Sequence, residues 1–464
     1  MTDRISGGAS RLDTVLGGGL PRNSICLVIG QPGSGKTIFA QQCVYANASA
    51  EGPAVYLSTV SEPLEKMLRF GQNLTFFDPS AVGSLVIYDD LGNVLGDHGL
   101  DGVLDRTREL IRQHRPGIMV IDSFKAMHAY ATDDSEFRKF LHSLTGMVSA
   151  VPVTSLWIGE YEASDISSAP EFAVADAILA FGSSHVAERT TRSLEVLKLR
   201  GGDFLSGKHS YRISPEGIAA YPRLADVGGG TPYVLGRERR SSGVSALDDM
   251  LSDGYWPGAS TLIAGPTGAG KTLMGLHFIF GGSRDGEHGL IATLQEHPTQ
   301  LERIALGFGW SLEDDNVTVM YRLPVDLYVD EWVYQLLDTA EAVGAKRVLV
   351  DSLGDLLAAS SDVTRFREYV YSLLLRCSRR GVSVMMTHEV LDLYGTTRLS
   401  EYGASHLADN VVLLQYAGFD KASISRTITV LKTRASTHDP HVREFEITPK
   451  GILLNDGPSS RGSA

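Results

Sequence analysis

The pattern G-x-x-x-x-G-K-[ST] occurs twice in the chain, at Gly30–Thr37 and again at Gly265–Thr272. In the first copy Gly30, Gly33 and Gly35 surround Ser34; in the second, Gly265, Gly268 and Gly270 surround Ala269. Glycines at this spacing let backbone N–H groups turn inward around a row of phosphates, and the helix that follows adds positive potential. Lys36 and Lys271 offer a mobile cation to the β- and γ-phosphates, while Thr37 and Thr272 offer a hydroxyl to Mg2+. Two acids complete the pattern. Asp122 ends "IMVID" and Asp351 ends "RVLVD", and an acid at the tip of an apolar strand sits where it can hold magnesium through water. The chemistry expected is the binding of ATP with Mg2+.

Splitting ATP asks for one more group, a proton acceptor near the end of the second strand. In the first half that end reads "AVYLSTVSEP" over residues 54–63, so Val60 and Ser61 precede the acid Glu62. Val60 accepts no proton and Ser61 is a poor base. Glu62 is displaced, and a one-residue shift along a strand reverses the face. The aligned positions in the second half are Gln295 and Glu296. Gln295 can orient water, and Glu296 can also take its proton. Both sites are therefore expected to bind nucleotide, the second to be better equipped for turnover, and both to turn over slowly.

These residues need elements to position them, and the elements come in duplicate. "SGGASRLDTVLGGGLPRNSICLVIGQPGSGKT" at 6–37 is repeated in kind by "SSGVSALDDMLSDGYWPGASTLIAGPTGAGKT" at 241–272. Residues 52–60 and 288–296 read as second strands, 117–124 and 347–354 as the strands carrying the acids, and 151–160 and 381–389 as the next. The segments 193–201 and 427–435 are strand-like by their β-branched content, whereas 104–114, 135–147 and 366–377 have helical periodicity. Strands alternating with helices predict an α/β protein of tandem duplicated domains, with mostly parallel sheets flanked by helices. The expected division is a first ATP-binding domain over 1–225, a glycine-rich then basic linker over 226–245, a second ATP-binding domain over 246–455 and a flexible tail over 456–464.

At 464 residues the chain has length for two such domains, and its 43% apolar content suits ordinary globular cores. A formal net charge of −13 argues against a nucleic-acid binder. No run of eighteen apolar residues predicts a membrane span, and the N-terminus carries no apolar leader. Cys26, Cys43 and Cys377 lie far apart and are read as free structural thiols. The expected location is the cytoplasm.

With its two loops, its two strand-tip acids and the pairs Lys198-Leu-Arg200 and Lys432-Thr-Arg434, nearly the whole chain resembles the KaiC family of RecA-like P-loop ATPases. The resemblance implies a two-tiered homo-hexamer with ATP at the subunit interfaces, where the Lys-x-Arg pair reaches the neighbour's ATP. Two cations one residue apart on a strand leave on the same face, where a phosphate across an interface or an internal salt bridge suits them. The resemblance also implies a pair of glutamates at the end of each second strand, where this chain has Val60–Ser61 and Gln295–Glu296. A Ser-Thr pair that the family's clock member phosphorylates on itself matches Ser405–His406, which leaves Ser405 as the one phosphoacceptor. The chain ends soon after "ITPKGILLNDGP", so an activator that docks on a longer tail is not expected, and a regulatory protein partner is left unspecified.

Three further features stand at strand tips or turns. Glu160 in "WIGEY" and His388–Glu389 in "MMTHEV" face the expected γ-phosphate region or serve as loop polarity; Tyr255 and Trp256 pack on adenine or on the protein; "GRERRSSG" at 236–243 is a solvated linker. The preferred reading is a slow Mg2+-dependent ATPase with a signalling or regulatory role. A serine autokinase acting on Ser405 and a non-catalytic nucleotide-gated scaffold stand as alternatives.

Overall fold

A computed structural model describes residues 4–59, 64–162, 165–186, 189–224, 236, 238–360, 363–390, 404–417 and 424–455. Contacts divide the chain into two units, 1–227 and 228–464. Among the described residues each unit holds a nine-stranded sheet, and the two sheets have the same strand order.

In the first unit the order runs Val86–Asp90, Ala54–Ser58, Ile118–Asp122, Thr154–Gly159, Ile25–Gly30, Ala177–Val186, Arg189–Leu199, Lys208–Ser214 and Gly217–Tyr221. Neighbours from Val86–Asp90 through Ala177–Val186 are parallel, and the remaining pairings are antiparallel. The strand leading to the first loop, "ICLVIG", is buried at every position, as a central parallel strand covered on both faces must be. Separate apolar clusters lie on its two sides: Cys26 and Val28 pack with Phe39 and Val44 on one, Leu27 and Ile29 with Phe140, Leu144 and Trp157 on the other. The helix Asp134–Ser149 supplies the second of these faces. Its buried residues Phe137, Phe140, Leu141, Leu144 and Val148 recur at helical spacing, and Asp133 caps its start by accepting from Glu136 N at 2.8 Å.

The second unit repeats the order with Val317–Tyr321, Gly289–Thr293, Arg347–Asp351, Ser383–Glu389, Ser260–Gly265, Asn410–Ala417, Ser425–Lys432, Arg443–Thr448 and Gly451–Leu454. The predicted strands are all present, most with trimmed ends, and the predicted helical segments lie within Gly92–His114, Asp134–Ser149 and Val363–Arg379. The sequence reading did not foresee the antiparallel wing. Residues 193–201 and 427–435 are the return arms of hairpins, each with a register shift, between Ile178 and Leu179 and between Val411 and Val412.

The basic stretch read as solvated linker falls in the second unit, and its Arg239 and Arg240 bond directly to that unit's residues. Arg240 donates to Gly381 O at 2.8 Å and pairs with Glu287 at 2.7 Å. Arg347, 1% exposed, takes the other oxygen of Glu287 at 2.6 Å. Arg239 donates to Gly254 O at 2.8 Å and stacks on Trp256, and Ser242 is fully buried. The three cysteines are buried and unpaired, and burial pushes the Cys377 thiol up to about 12.

Candidate nucleotide sites

Each loop follows a buried strand and turns directly into a helix, Lys36–Asn47 in the first unit and Lys271–Arg284 in the second. The residue before each lysine has a left-handed backbone, φ 90° at Gly35 and 102° at Gly270, a conformation that favours glycine. At Gly30 a Cβ would stand 2.1 Å from Phe181 O. These glycines let the loop backbone close where side chains would block it.

The cation of each loop is parked on the loop itself. Lys36 Nζ donates to Gly30 O and Gln31 O, both at 2.9 Å, and Lys271 Nζ donates to Pro266 O at 2.9 Å. Burial lowers the pKa of both lysines. Glu160 and then Asp122 oppose the shift at Lys36; Glu389 and then Asp351 oppose it at Lys271. An ammonium that is part-desolvated and only partly compensated is poised to exchange carbonyl oxygens for phosphate.

The threonine and the strand-tip acid meet in both units. Thr37 Oγ1 donates to Asp122 Oδ2 at 2.8 Å, and Thr272 Oγ1 donates to Asp351 Oδ2 at 2.8 Å. A second hydroxyl holds each acid: Tyr56 OH reaches Asp122 Oδ2 at 2.8 Å, and Thr387 Oγ1 donates to Asp351 Oδ1. Burial raises the pKa of Asp351, and the bonds from Thr387 and Thr272 offset only part of that shift. A hydroxyl beside a buried carboxylate is an oxygen pair suited to a hard divalent cation. Sequence reasoning missed Tyr56 and Thr387, although each is a polar residue in a run otherwise given over to apolar packing.

Glu160 and Glu389 occupy matching places. Ile29 pairs with Gly159 and Gly265 with Glu389, so each glutamate stands beside the first glycine of its loop. In the second unit Thr267 Oγ1, from the loop, donates to Glu389 Oε1. Glu296 is half-buried and its N–H donates to Thr293 Oγ1 at 3.1 Å, whereas Gln295 is exposed. Val60, Ser61 and Glu62 lie outside the described residues.

The Lys-x-Arg pairs are not at their own unit's loop. Ala177 pairs both with Cys26 and with Leu199, which puts Lys198 and Arg200 at the end of the sheet opposite Gly30. Lys198 Nζ donates to Phe172 O at 3.4 Å, and Arg200 pairs with Asp176 at 3.3 Å. In the second unit Lys432 Nζ donates to Ala408 O at 2.6 Å; Arg434 pairs with Asp409 at 3.4 Å and donates to His406 O at 3.1 Å. Both cations of a pair thus converge on one short segment. Ser405 falls in the short helix Ala404–Leu407, and its side chain lies outside the described residues. Tyr255 is a core residue packed edge-on against Phe278. Trp256 precedes Ser260–Gly265, about 20 Å of strand away from the loop that follows it, and its Nε1 donates to Ala435 O at 3.4 Å.

Two α/β units, each bringing a phosphate loop, its lysine and threonine and a facing acid together at the strand tips, define a tandem P-loop nucleotide-binding protein. A family profile described as "ATPase: KaiC" matches residues 5–225 and 240–458, and the chain belongs to this family of RecA-like P-loop ATPases. It is 28% identical over 470 residues to the circadian clock protein KaiC3 of Synechocystis sp., covering 97% of this chain and 92% of that protein. It is also 28% identical over 464 residues to the circadian clock oscillator protein KaiC of Thermostichus vulcanus, covering 96% and 87%.

Proposed function

We propose that the protein is a slow, Mg2+-dependent ATPase that works in the cytoplasm as a nucleotide-dependent regulatory or signalling ring, a homo-hexamer with ATP between neighbouring subunits. The observation that carries this reading is positional. Each unit has its loop, lysine, threonine and acid at one end of the sheet and its Lys-x-Arg pair at the other. A site completed by a neighbouring copy reconciles the two.

In this reading Thr37 with Asp122, and Thr272 with Asp351, hold Mg2+, which when bound neutralises charge on the phosphates. Lys36 and Lys271 leave their loop carbonyls for the β- and γ-phosphates. Lys198 and Arg200, or Lys432 and Arg434, approach from the neighbouring copy and stabilise charge on the transferring group. In the second site Gln295 orients water and Glu296 accepts its proton. The test is phosphate release from γ-labelled ATP by the wild type and by Glu296→Gln, with the protein itself checked for label. Slow release that falls sharply in E296Q, with little label on protein, supports the reading. A hexamer that retains ATP without release sinks it in favour of a nucleotide-gated scaffold.

One observation favours a second activity. Arg434 donates to His406 O, next to Ser405, so cations suited to a neighbour's γ-phosphate sit beside a hydroxyl residue. Label accumulating on Ser405 would assign serine autokinase activity to the second site.

A further inference from the structure

The first unit has Val60–Ser61 where the family resemblance implies a pair of glutamates, yet a carboxylate stands at its loop from another strand. We propose that Glu160 is the proton acceptor for the attacking water in the first nucleotide site; this rests on the ATPase reading above.

Register places Glu160. Gly159 pairs with Ile29, so Glu160 lies beside Gly30, one strand spacing of about 4.8 Å from the loop's first residue. On its other side the same strand pairs with Ile118–Asp122, with Ile158 opposite Asp122. Glu160 therefore follows the strand that separates the loop from the metal-holding acid, and its side chain is exposed. The Glu160 carboxylate acts electrostatically on the Lys36 ammonium, and its place beside Gly30 puts it at the phosphate end of the loop.

Asp122 is committed elsewhere, because Thr37 and Tyr56 both donate to its Oδ2. Glu171 is fully buried and accepts from His128 and Tyr161. The second unit explains why the matching residue there has a different task. Glu389 is engaged by the Thr267 hydroxyl, whereas the first loop has Pro32 at that position and no hydroxyl to offer. Freed from a loop contact, Glu160 serves the first site; Glu389 is held to its loop, and Glu296 serves the second.

The step is a hydrolysis. The water oxygen attacks the γ-phosphorus as its proton passes to the Glu160 carboxylate. The bond from the γ-phosphorus to the β–γ bridging oxygen breaks, and its electron pair leaves on ADP.

The experiment uses the full chain with the second site silenced by Glu296→Gln. Phosphate release and the Kd for a fluorescent ATP analogue are compared among E296Q, E160Q/E296Q, E160D/E296Q and E62Q/E296Q. The expected result is residual turnover in E296Q that falls by about 100-fold or more on adding E160Q, with Kd unchanged or tighter and partial recovery in E160D. Undiminished turnover in E160Q/E296Q with a tighter Kd makes Glu160 a repelling charge only and overturns the proposal. So does loss that follows E62Q instead, or an E296Q variant with no residual turnover at all. A wild type that holds ATP without releasing phosphate removes the ATPase reading itself, an outcome distinct from the others.

Discussion

Asp122 and Asp351, the acids proposed to hold Mg2+, have different supports. The first is held by a threonine and a tyrosine, the second by two threonines. Burial has already pushed the pKa of Asp351 up, so each donated hydrogen bond counts toward keeping it ionised for a cation. Thr387→Val removes one of them at little change in volume. The expected outcome is a Mg2+ requirement about 10- to 100-fold higher at the second site, read as the Mg2+ midpoint of analogue binding, with the first site unaffected. Lys271→Ala is expected to abolish nucleotide binding in the second unit while thermal unfolding in the absence of nucleotide stays close to wild type. The lysine's contacts there are to the loop's own carbonyl.

At the scale of elements, two anchors carry most of what can be tested in the second unit. Glu287 ties Arg347, on a central strand, to Arg240, which precedes the first helix. Glu287→Ala leaves the buried Arg347 cation without its carboxylate and should cost about 3–5 kcal/mol, measured by urea unfolding. The second anchor is His277, on the helix that begins at the loop. Its Nε2 accepts from Ile452 N at 3.0 Å, which docks the last strand, and burial lowers its pKa to about 4. The folded state binds this proton more weakly than the unfolded chain, so the contribution is intact above the unfolded value near 6.5 and is lost as pH falls toward 4. Up to about 3 kcal/mol of the unit's stability should disappear across that window, and His277→Leu should flatten the slope of urea midpoint against pH.

The glycine–lysine loops, the acids at apolar strand ends and the duplicated order were legible because each depends on a short local pattern. Tyr56 and Thr387 were not, since their roles arise from which strands lie side by side. Ala54–Ser58 neighbours Ile118–Asp122, and Ser383–Glu389 neighbours Arg347–Asp351, and no spacing along the chain encodes that adjacency. Glu160 and Glu389 were legible as strand-tip acids facing the phosphate region, but that each stands beside the first glycine of its loop depends on the crossover order of the sheet. The linker misled for the opposite reason. "GRERRSSG" has the composition of a solvated segment, yet Arg239 and Arg240 find backbone carbonyls and a carboxylate that only the folded unit assembles.

For the whole molecule, the separation of each loop from its own Lys-x-Arg pair makes complementation the decisive measurement. Lys271→Ala and Arg434→Ala, each combined with Lys36→Ala to silence the first site, should be inactive alone. Mixed and reassembled, they should regain part of the second-site phosphate release, because some interfaces then pair an intact loop with an intact arginine. A protein that completes its sites within one chain gains nothing from mixing.

The two antiparallel wings share a finer mark. In each, the register slips by one residue at the same strand pair, leaving Leu197 in one unit and Leu431 in the other 40% and 43% exposed. A bulge is an inserted residue that re-aims the side chains next to it, and in both halves it falls directly before the lysine of the Lys-x-Arg pair, so the same slip sets the direction of the cations in each unit.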